Sequence, residues 1–134
     1  MLGPMNQPRP LIAVLDDEPN MCKALSRLLT TRDFEVVTFA LGEELLASIA
    51  ARLPDCLLLD LHIPGISGFQ VLERLAAQQS PVPVIVITGH DQPGNAERVR
   101  SLGAVDYLLK PIKELTLLEA LAKAMHSGGA TSGS

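Results

Sequence analysis

The chain has 134 residues, 47% of them hydrophobic, with few aromatics, no tryptophan and a formal net charge of −4. That length suits one domain with a core of Leu, Ile, Val and Ala, and the absence of any run of like charge excludes a basic nucleic-acid footprint. No apolar stretch approaches a membrane span, and the first residues, Met1 to Gln7, lack the basic and apolar regions of a signal peptide.

Residues 1–9 are read as a disordered or appended lead-in, with Met5 as the natural start. An unbroken apolar run, Leu11 to Leu15, predicts the first strand, closed by Asp16 and Asp17. The first helix is expected to start near Pro19, a residue favoured in a first turn, with Cys22, Leu25, Leu28 and Leu29 as its apolar stripe. A second strand, Glu35 to Phe39, carries Glu35 and Thr38 and suits a sheet edge. The second helix follows Gly42 and presents Leu45, Leu46 and Ile49. The third strand, Asp55 to Leu59, is closed by Asp60, and the third helix follows Ser67-Gly68 with Phe69, Leu72 and Leu75 inward. The fourth strand, Pro83 to Ile87, is closed by Thr88.

The fourth helix, Pro93 to Leu102, has only Ala96, Val99 and Leu102 to bury, so it is the candidate moving part. Gly103 suits its C-terminal cap. The fifth strand, Val105 to Leu109, is closed by Lys110. The fifth helix runs from Glu114 to His126, with Leu117, Leu118, Leu121 and Met125 inward. Residues 127–134 are rich in Gly, Ser and Thr and are read as a flexible tail or the start of a linker. Cys22 and Cys56 have no metal-site or Cys-x-x-Cys spacing; both read as small buried hydrophobes in a reducing compartment.

Strict alternation of strand and helix implies an α/β fold, a five-stranded parallel sheet with helices on both faces. Ligands in such folds bind outside the carboxyl ends of the strands. Asp16, Asp17, Asp60, Thr88 and Lys110 each follow a strand, so they are expected at one edge. Close carboxylates repel by about 1–4 kcal/mol per pair at about 4 Å. A hard divalent cation removes that repulsion, and a set of oxygen ligands with room for water and phosphate suits Mg²⁺. A carboxylate is also a nucleophile toward phosphorus. Phosphoryl transfer then needs positioning and neutralisation of the equatorial oxygens, which a cation, the Lys110 ammonium and the Thr88 hydroxyl supply between them.

Four fragments carry a family resemblance. They are Leu15-Asp16-Asp17-Glu18-Pro19, Leu59-Asp60-Leu61-His62-Ile63-Pro64-Gly65-Ile66-Ser67-Gly68, Ile87-Thr88-Gly89-His90 and Gly103-Ala104-Val105-Asp106-Tyr107-Leu108-Leu109-Lys110-Pro111. In that order and spacing they resemble the receiver domain of two-component response regulators, a single flavodoxin-like (βα)5 domain, expected over residues 10–126. The resemblance implies Asp60 as the phosphoacceptor and Asp16, Asp17, Asp60 and the His62 backbone carbonyl as Mg²⁺ ligands. It implies that Lys110 grips the phosphoryl group, that the Lys110-Pro111 bond is cis, and that Thr88 and Tyr107 form a switch acting on the fourth helix, fifth strand and fifth helix. It implies a cytoplasmic signalling domain that catalyses only its own phosphorylation and dephosphorylation, supplied by a sensor histidine kinase or phosphotransfer protein. A downstream output domain or target protein is expected, with a monomer or a phosphorylation-dependent dimer as the assembly, and no direct nucleic-acid or membrane contact. The fragments around Thr88 and Gly103 look most like receivers of LuxR-type regulators, which leaves a stand-alone receiver and one separated from an output domain both open.

Other readings stand beside these. Asp16-Asp17 alone suits helix capping, Asp60 a turn, and Lys110 a solvated lysine. His62 and His90 either border the phosphoryl group and tune its lifetime or are exposed loop histidines, with adventitious metal binding a further reading. An aspartyl-phosphate phosphatase of the haloacid dehalogenase class is the alternative function, but its second aspartate is replaced by His62. A flavodoxin-like electron carrier needs a Ser/Thr-rich phosphate loop where this chain has Asp16-Asp17-Glu18.

Overall fold

The computed structural model describes the backbone of residues 8–133 and the side chains of residues 8–126. The expectation for residues 1–9 therefore lies, as far as residue 7, outside the described residues. Five strands alternate with five helices: β1 (Leu11–Leu15), α1 (Pro19–Thr31), β2 (Glu35–Phe39), α2 (Gly42–Ala51), β3 (Cys56–Asp60), α3 (Gly68–Ala77), β4 (Val84–Thr88), α4 (Asn95–Ser101), β5 (Asp106–Leu109) and α5 (Glu114–Gly133). All pairings are parallel, in the order β2-β1-β3-β4-β5. This is the flavodoxin-like (βα)5 architecture expected from the alternation.

Side chains that alternate along a strand separate to opposite faces of a sheet. Ala13, Leu15, Leu57, Leu59, Val84 and Val86 join one core with Leu45 and Ile49 of α2, Val71, Leu72 and Leu75 of α3, and Val99 of α4. Ile12, Val14, Cys56, Leu58, Ile85 and Ile87 join the other with Leu25 and Leu29 of α1 and Leu117, Leu121 and Ala124 of α5. Two cores, one on each face, explain why β1, β3 and β4 are apolar throughout and wholly buried. β2 and β5 are the edges, and their burial is partial.

The boundaries depart from the pattern in instructive places. β3 and β4 each start one residue later than expected and take in Asp60 and Thr88 as their last residues. β5 begins at Asp106, although the Val105 N–H already donates to the Val84 carbonyl at 2.8 Å. α4 starts at Asn95 because Gly94 takes a left-handed conformation, φ +87°, at its N-cap. α5 continues to Gly133, past the expected end at His126 and through the run read as a flexible tail. The apolar stripe marks where packing ends, whereas propagating an existing helix requires far less than nucleating one. Cys22 is half-buried rather than buried, and both cysteines are free.

Candidate functional site

The strand order reverses beside β1, and the site lies there, outside the carboxyl ends of β1, β3, β4 and β5. Register brings the ends together: Leu15 pairs with Leu59, Asp60 with Ile87 and Thr88 with Leu109. The Asp16 N–H donates to the Phe39 carbonyl at 3.0 Å, and the Lys110 N–H donates to the Thr88 carbonyl at 2.8 Å. The Lys110-Pro111 peptide bond is cis.

One local device recurs at three strand ends. The Asp16 Oδ1 atom accepts from the Glu18 N–H at 2.9 Å, Asp60 Oδ1 from the His62 N–H at 3.1 Å, and Thr88 Oγ1 from the His90 N–H at 3.1 Å. Each is an Asx- or Ser/Thr-type turn, in which a short polar side chain bonds the backbone two residues on. The bond anchors one oxygen of each carboxylate and leaves the other to the site. Among the described residues, Asp16, Asp60 and Thr88 are the buried polar ones. Gly68 adds a further constraint on Asp60. A Cβ there would lie 2.7 Å from the Asp60 carbonyl oxygen and 2.7 Å from the Leu61 Cα. The missing side chain lets the start of α3, closed by a reciprocal Ser67–Gln70 capping box, seat directly on the Asp60 backbone.

Lys110 is the cation of this edge. Its Nζ lies 2.8 Å from Asp16 Oδ2, 2.9 Å from Glu18 Oε1 and 3.3 Å from Asp60 Oδ2. Burial alone favours a neutral amine, but the Asp16, Glu18 and Asp60 carboxylates outweigh it and hold the ammonium above its ordinary range. Burial also pushes the Asp60 carboxyl above its ordinary value of 3.8; the His62 N–H opposes that rise, the Asp16 charge adds to it, and Lys110 opposes it. Lys110 is therefore a fixed positive charge, and burial disfavours the ionised form of Asp60.

Asp16, Asp17 and Asp60 offer carboxylate oxygens that all lie within 4.8 Å of one another. Asp16 Oδ2 is buried and faces the Lys110 ammonium at 2.8 Å. Three carboxylates this close repel one another, and an all-oxygen donor set suits a hard divalent cation. The trio is near enough to coordinate one.

The expected residues thus converge, with two qualifications. Thr88 is wholly buried and its oxygen accepts the His90 N–H. Tyr107 lies on the edge strand and points its hydroxyl to Asp91 Oδ1 at 2.7 Å; burial and the Asp91 carboxylate raise its pKa. Besides Tyr107 with Asp91, three further contacts have no signal in the sequence. Glu18 reaches Lys110. The rings of His62 and His90 meet edge-on with centroids 4.8 Å apart. The Arg98 guanidinium stacks on Phe69, 3.9 Å from the ring centre, so Phe69 is half-buried rather than buried in the α3 stripe. Each joins separate loops or helices, where no periodicity marks a pair.

The sequence matches the family described as the response regulator receiver domain over residues 12–122. It is 35% identical over 114 residues to nodulation protein W of Bradyrhizobium diazoefficiens, covering 85% of this chain and 50% of that one. It is 39% identical over 116 residues to the positive alginate biosynthesis regulatory protein of Pseudomonas aeruginosa, covering 84% and 46%. The chain therefore spans about half the length of these curated relatives. The fold matches a response regulator receiver domain protein from Methanospirillum hungatei with a TM-score of 0.87 at 24% identity, covering 92% and 98%.

Parallel (βα)5 topology with an acidic trio and a lysine at the strand ends is consistent with a phosphoacceptor type of domain. The chain belongs to the response regulator receiver family. Receiver domains are phosphoacceptor signalling domains of two-component phosphorelays rather than enzymes that turn over an external substrate, which sets aside the phosphatase and electron-carrier readings. Their usual partners are sensor kinases and phosphotransfer proteins. Among the described residues, no helix is long and apolar enough to cross a membrane.

Proposed function

We propose that Asp60 accepts a phosphoryl group from a phosphohistidine donor in a Mg²⁺-dependent reaction, in a receiver domain spanning residues 10–126, with 127–134 as tail or linker. One observation carries the reading: Lys110 Nζ lies 3.3 Å from Asp60 Oδ2, inside a cluster whose other carboxylates belong to Asp16 and Asp17. An oxygen of Asp60 forms a bond to phosphorus as the donor's N–P bond breaks. The imidazole nitrogen leaves with the electron pair.

Asp16, Asp17, Asp60 and the His62 carbonyl would hold the cation, which when bound supplies positive charge to the phosphoryl oxygens. Lys110 grips a second oxygen as a flexible point charge. Thr88 moves toward the phosphoryl group to donate its hydroxyl to a third, and Tyr107 leaves Asp91 to swing inward behind it. Such a change needs only a bias between two existing arrangements of α4, β5 and α5. His62 and His90 flank the acceptor and set how long the acyl phosphate lasts. The setting is the cytoplasm, and the donor is a sensor histidine kinase or a phosphotransfer protein. An output domain or target protein reads the switched surface, on a monomer or a phosphorylation-dependent dimer.

Intact mass after incubation with acetyl phosphate and Mg²⁺ tests the reading. The expected result is one added phosphoryl group, absent in Asp60→Asn and blocked by a chelator. Labelling that persists in Asp60→Asn overturns it.

A further inference from the structure

Glu18 lies outside the acidic trio, yet it holds the cation of the site. It occupies the N-cap of α1, where an acidic side chain usually accepts from the helix N–H groups. Here it makes no capping hydrogen bond. Its carboxylate instead accepts from Lys110, 92 residues away in sequence. Pairing with Lys110 in turn holds the Glu18 carboxyl below its usual range.

An ammonium has three N–H donors, and three carboxylates surround this one. The contacts to Asp16 and Glu18, 2.8 and 2.9 Å, are shorter than the 3.3 Å contact to Asp60. The Glu18 side chain is 65% exposed and that of Asp60 5%. Lys110 therefore bridges the mouth of the site, at Glu18, and its buried floor, at Asp16 and Asp60. To meet a phosphoryl oxygen bound at Asp60, its tip has to turn inward and loosen its hold on Glu18.

Resting on the reading of Asp60 as the phosphoacceptor, we propose that Glu18 is a positioning residue, which competes with the phosphoryl group for Lys110 and so slows phosphorylation of Asp60. With acetyl phosphate, an Asp60 oxygen bonds to phosphorus while the P–O bond to the acetyl group breaks, and acetate departs with the electron pair. The negative charge of the transferring group rests on its equatorial oxygens. A Lys110 tip tethered to Glu18 is a poorer partner for them.

The test measures the rate of acetyl phosphate labelling by intact mass in the presence of Mg²⁺. Glu18→Gln is expected to label about two- to fivefold faster than wild type, the range that an exposed ion pair supports. Glu18→Asp separates contact from field, since it keeps the charge but shortens the reach by one methylene. It too should label faster than wild type. In a Lys110→Ala background the Glu18→Gln gain should vanish, because a residue that acts through Lys110 has nothing left to act on. Three results overturn the proposal: an unchanged rate in Glu18→Gln, a wild-type rate in Glu18→Asp, or a gain of the same size without Lys110. The last two assign the effect to repulsion between Glu18 and the anionic donor. Failure of wild type to label at all, with Asp60→Asn indistinguishable from it, overturns the phosphoacceptor reading instead.

Discussion

The two halves of the sheet's carboxyl edge are built on different physics. On the side of β1 and β3, the strands are wholly buried, and Asp16 and Asp60 are anchored by backbone N–H groups. On the side of α4 and β5, the helix has seven residues and buries only Val99, and the strand is a half-exposed edge. What joins that side together is polar and near the surface: Tyr107 to Asp91, Arg98 on Phe69, and Arg100 to Asp106 at 3.8 Å. Contacts of that kind are worth little individually in water. The first half can therefore hold a reacting geometry still, while the second can change arrangement at low cost. A receiver needs both.

The comparison breaks most visibly in the core. Leu58→Ala removes a wholly buried side chain between β1, β4 and the helices α1 and α5, and should cost about 2–5 kcal/mol. Arg98→Ala on α4 should cost about 1 kcal/mol or less. Urea denaturation of the two variants checks this, and similar losses would mean the α4 side is as firmly built as the β3 side.

Gly68→Ala comes next. Its methyl group would meet the Asp60 carbonyl and the Leu61 Cα, both backbone and unable to swing away. Overpacking of this kind costs about 1–3 kcal/mol. Because the displaced atoms carry Asp60 itself, acetyl phosphate labelling should fall more than the stability loss alone explains, as measured on protein held well below its melting temperature.

Asp60→Asn is a smaller effect with a definite sign. Burial raises the Asp60 pKa in the fold, so folding disfavours the ionised form. Below the ordinary value of 3.8 both folded and unfolded chains are protonated there, and the wild type carries no penalty. As pH rises from that value through the higher folded one, the unfolded chain loses its proton first and wild-type stability falls. The metal-free Asn variant escapes that loss. Its melting temperature should exceed that of wild type at neutral pH, and the excess should shrink as pH drops toward 3.8. A gap that is constant with pH would show that Asp60 ionises without penalty.

Much of this was legible in the sequence for a physical reason. The strands of a doubly covered sheet must be apolar, so a polar residue that ends one stands out, and Asp16, Asp60, Thr88 and Lys110 all did. The parallel topology then brought them to one edge. Strand ends slipped by a residue at Asp60 and Thr88 because ladder pairing extends to the polar residue itself, which hydropathy does not see. The capping box has its own signal, Ser67-x-x-Gln70 before an apolar stripe. Glu18 with Lys110, His62 with His90 and Asp91 with Tyr107 were beyond pattern, since each depends on how loops from different strands happen to meet.

The smallest and most specific prediction concerns Asp91. Tyr107 is the chain's one tyrosine, and there is no tryptophan, so emission excited to the red of phenylalanine absorption reports that ring alone. A phenol hydrogen-bonded to a carboxylate transfers its proton readily in the excited state and emits weakly. Asp91→Ala removes the carboxylate that accepts the 2.7 Å bond. Emission should rise, while stability should change by about 1 kcal/mol or less, as befits one exposed hydrogen bond. If the α4 side is poised between arrangements, releasing Tyr107 from Asp91 should also favour its inward position and make phosphorylation by acetyl phosphate faster. A brighter tyrosine with an unchanged labelling rate would separate the two, leaving the Asp91 contact as a surface ornament of the edge strand rather than a restraint on the switch.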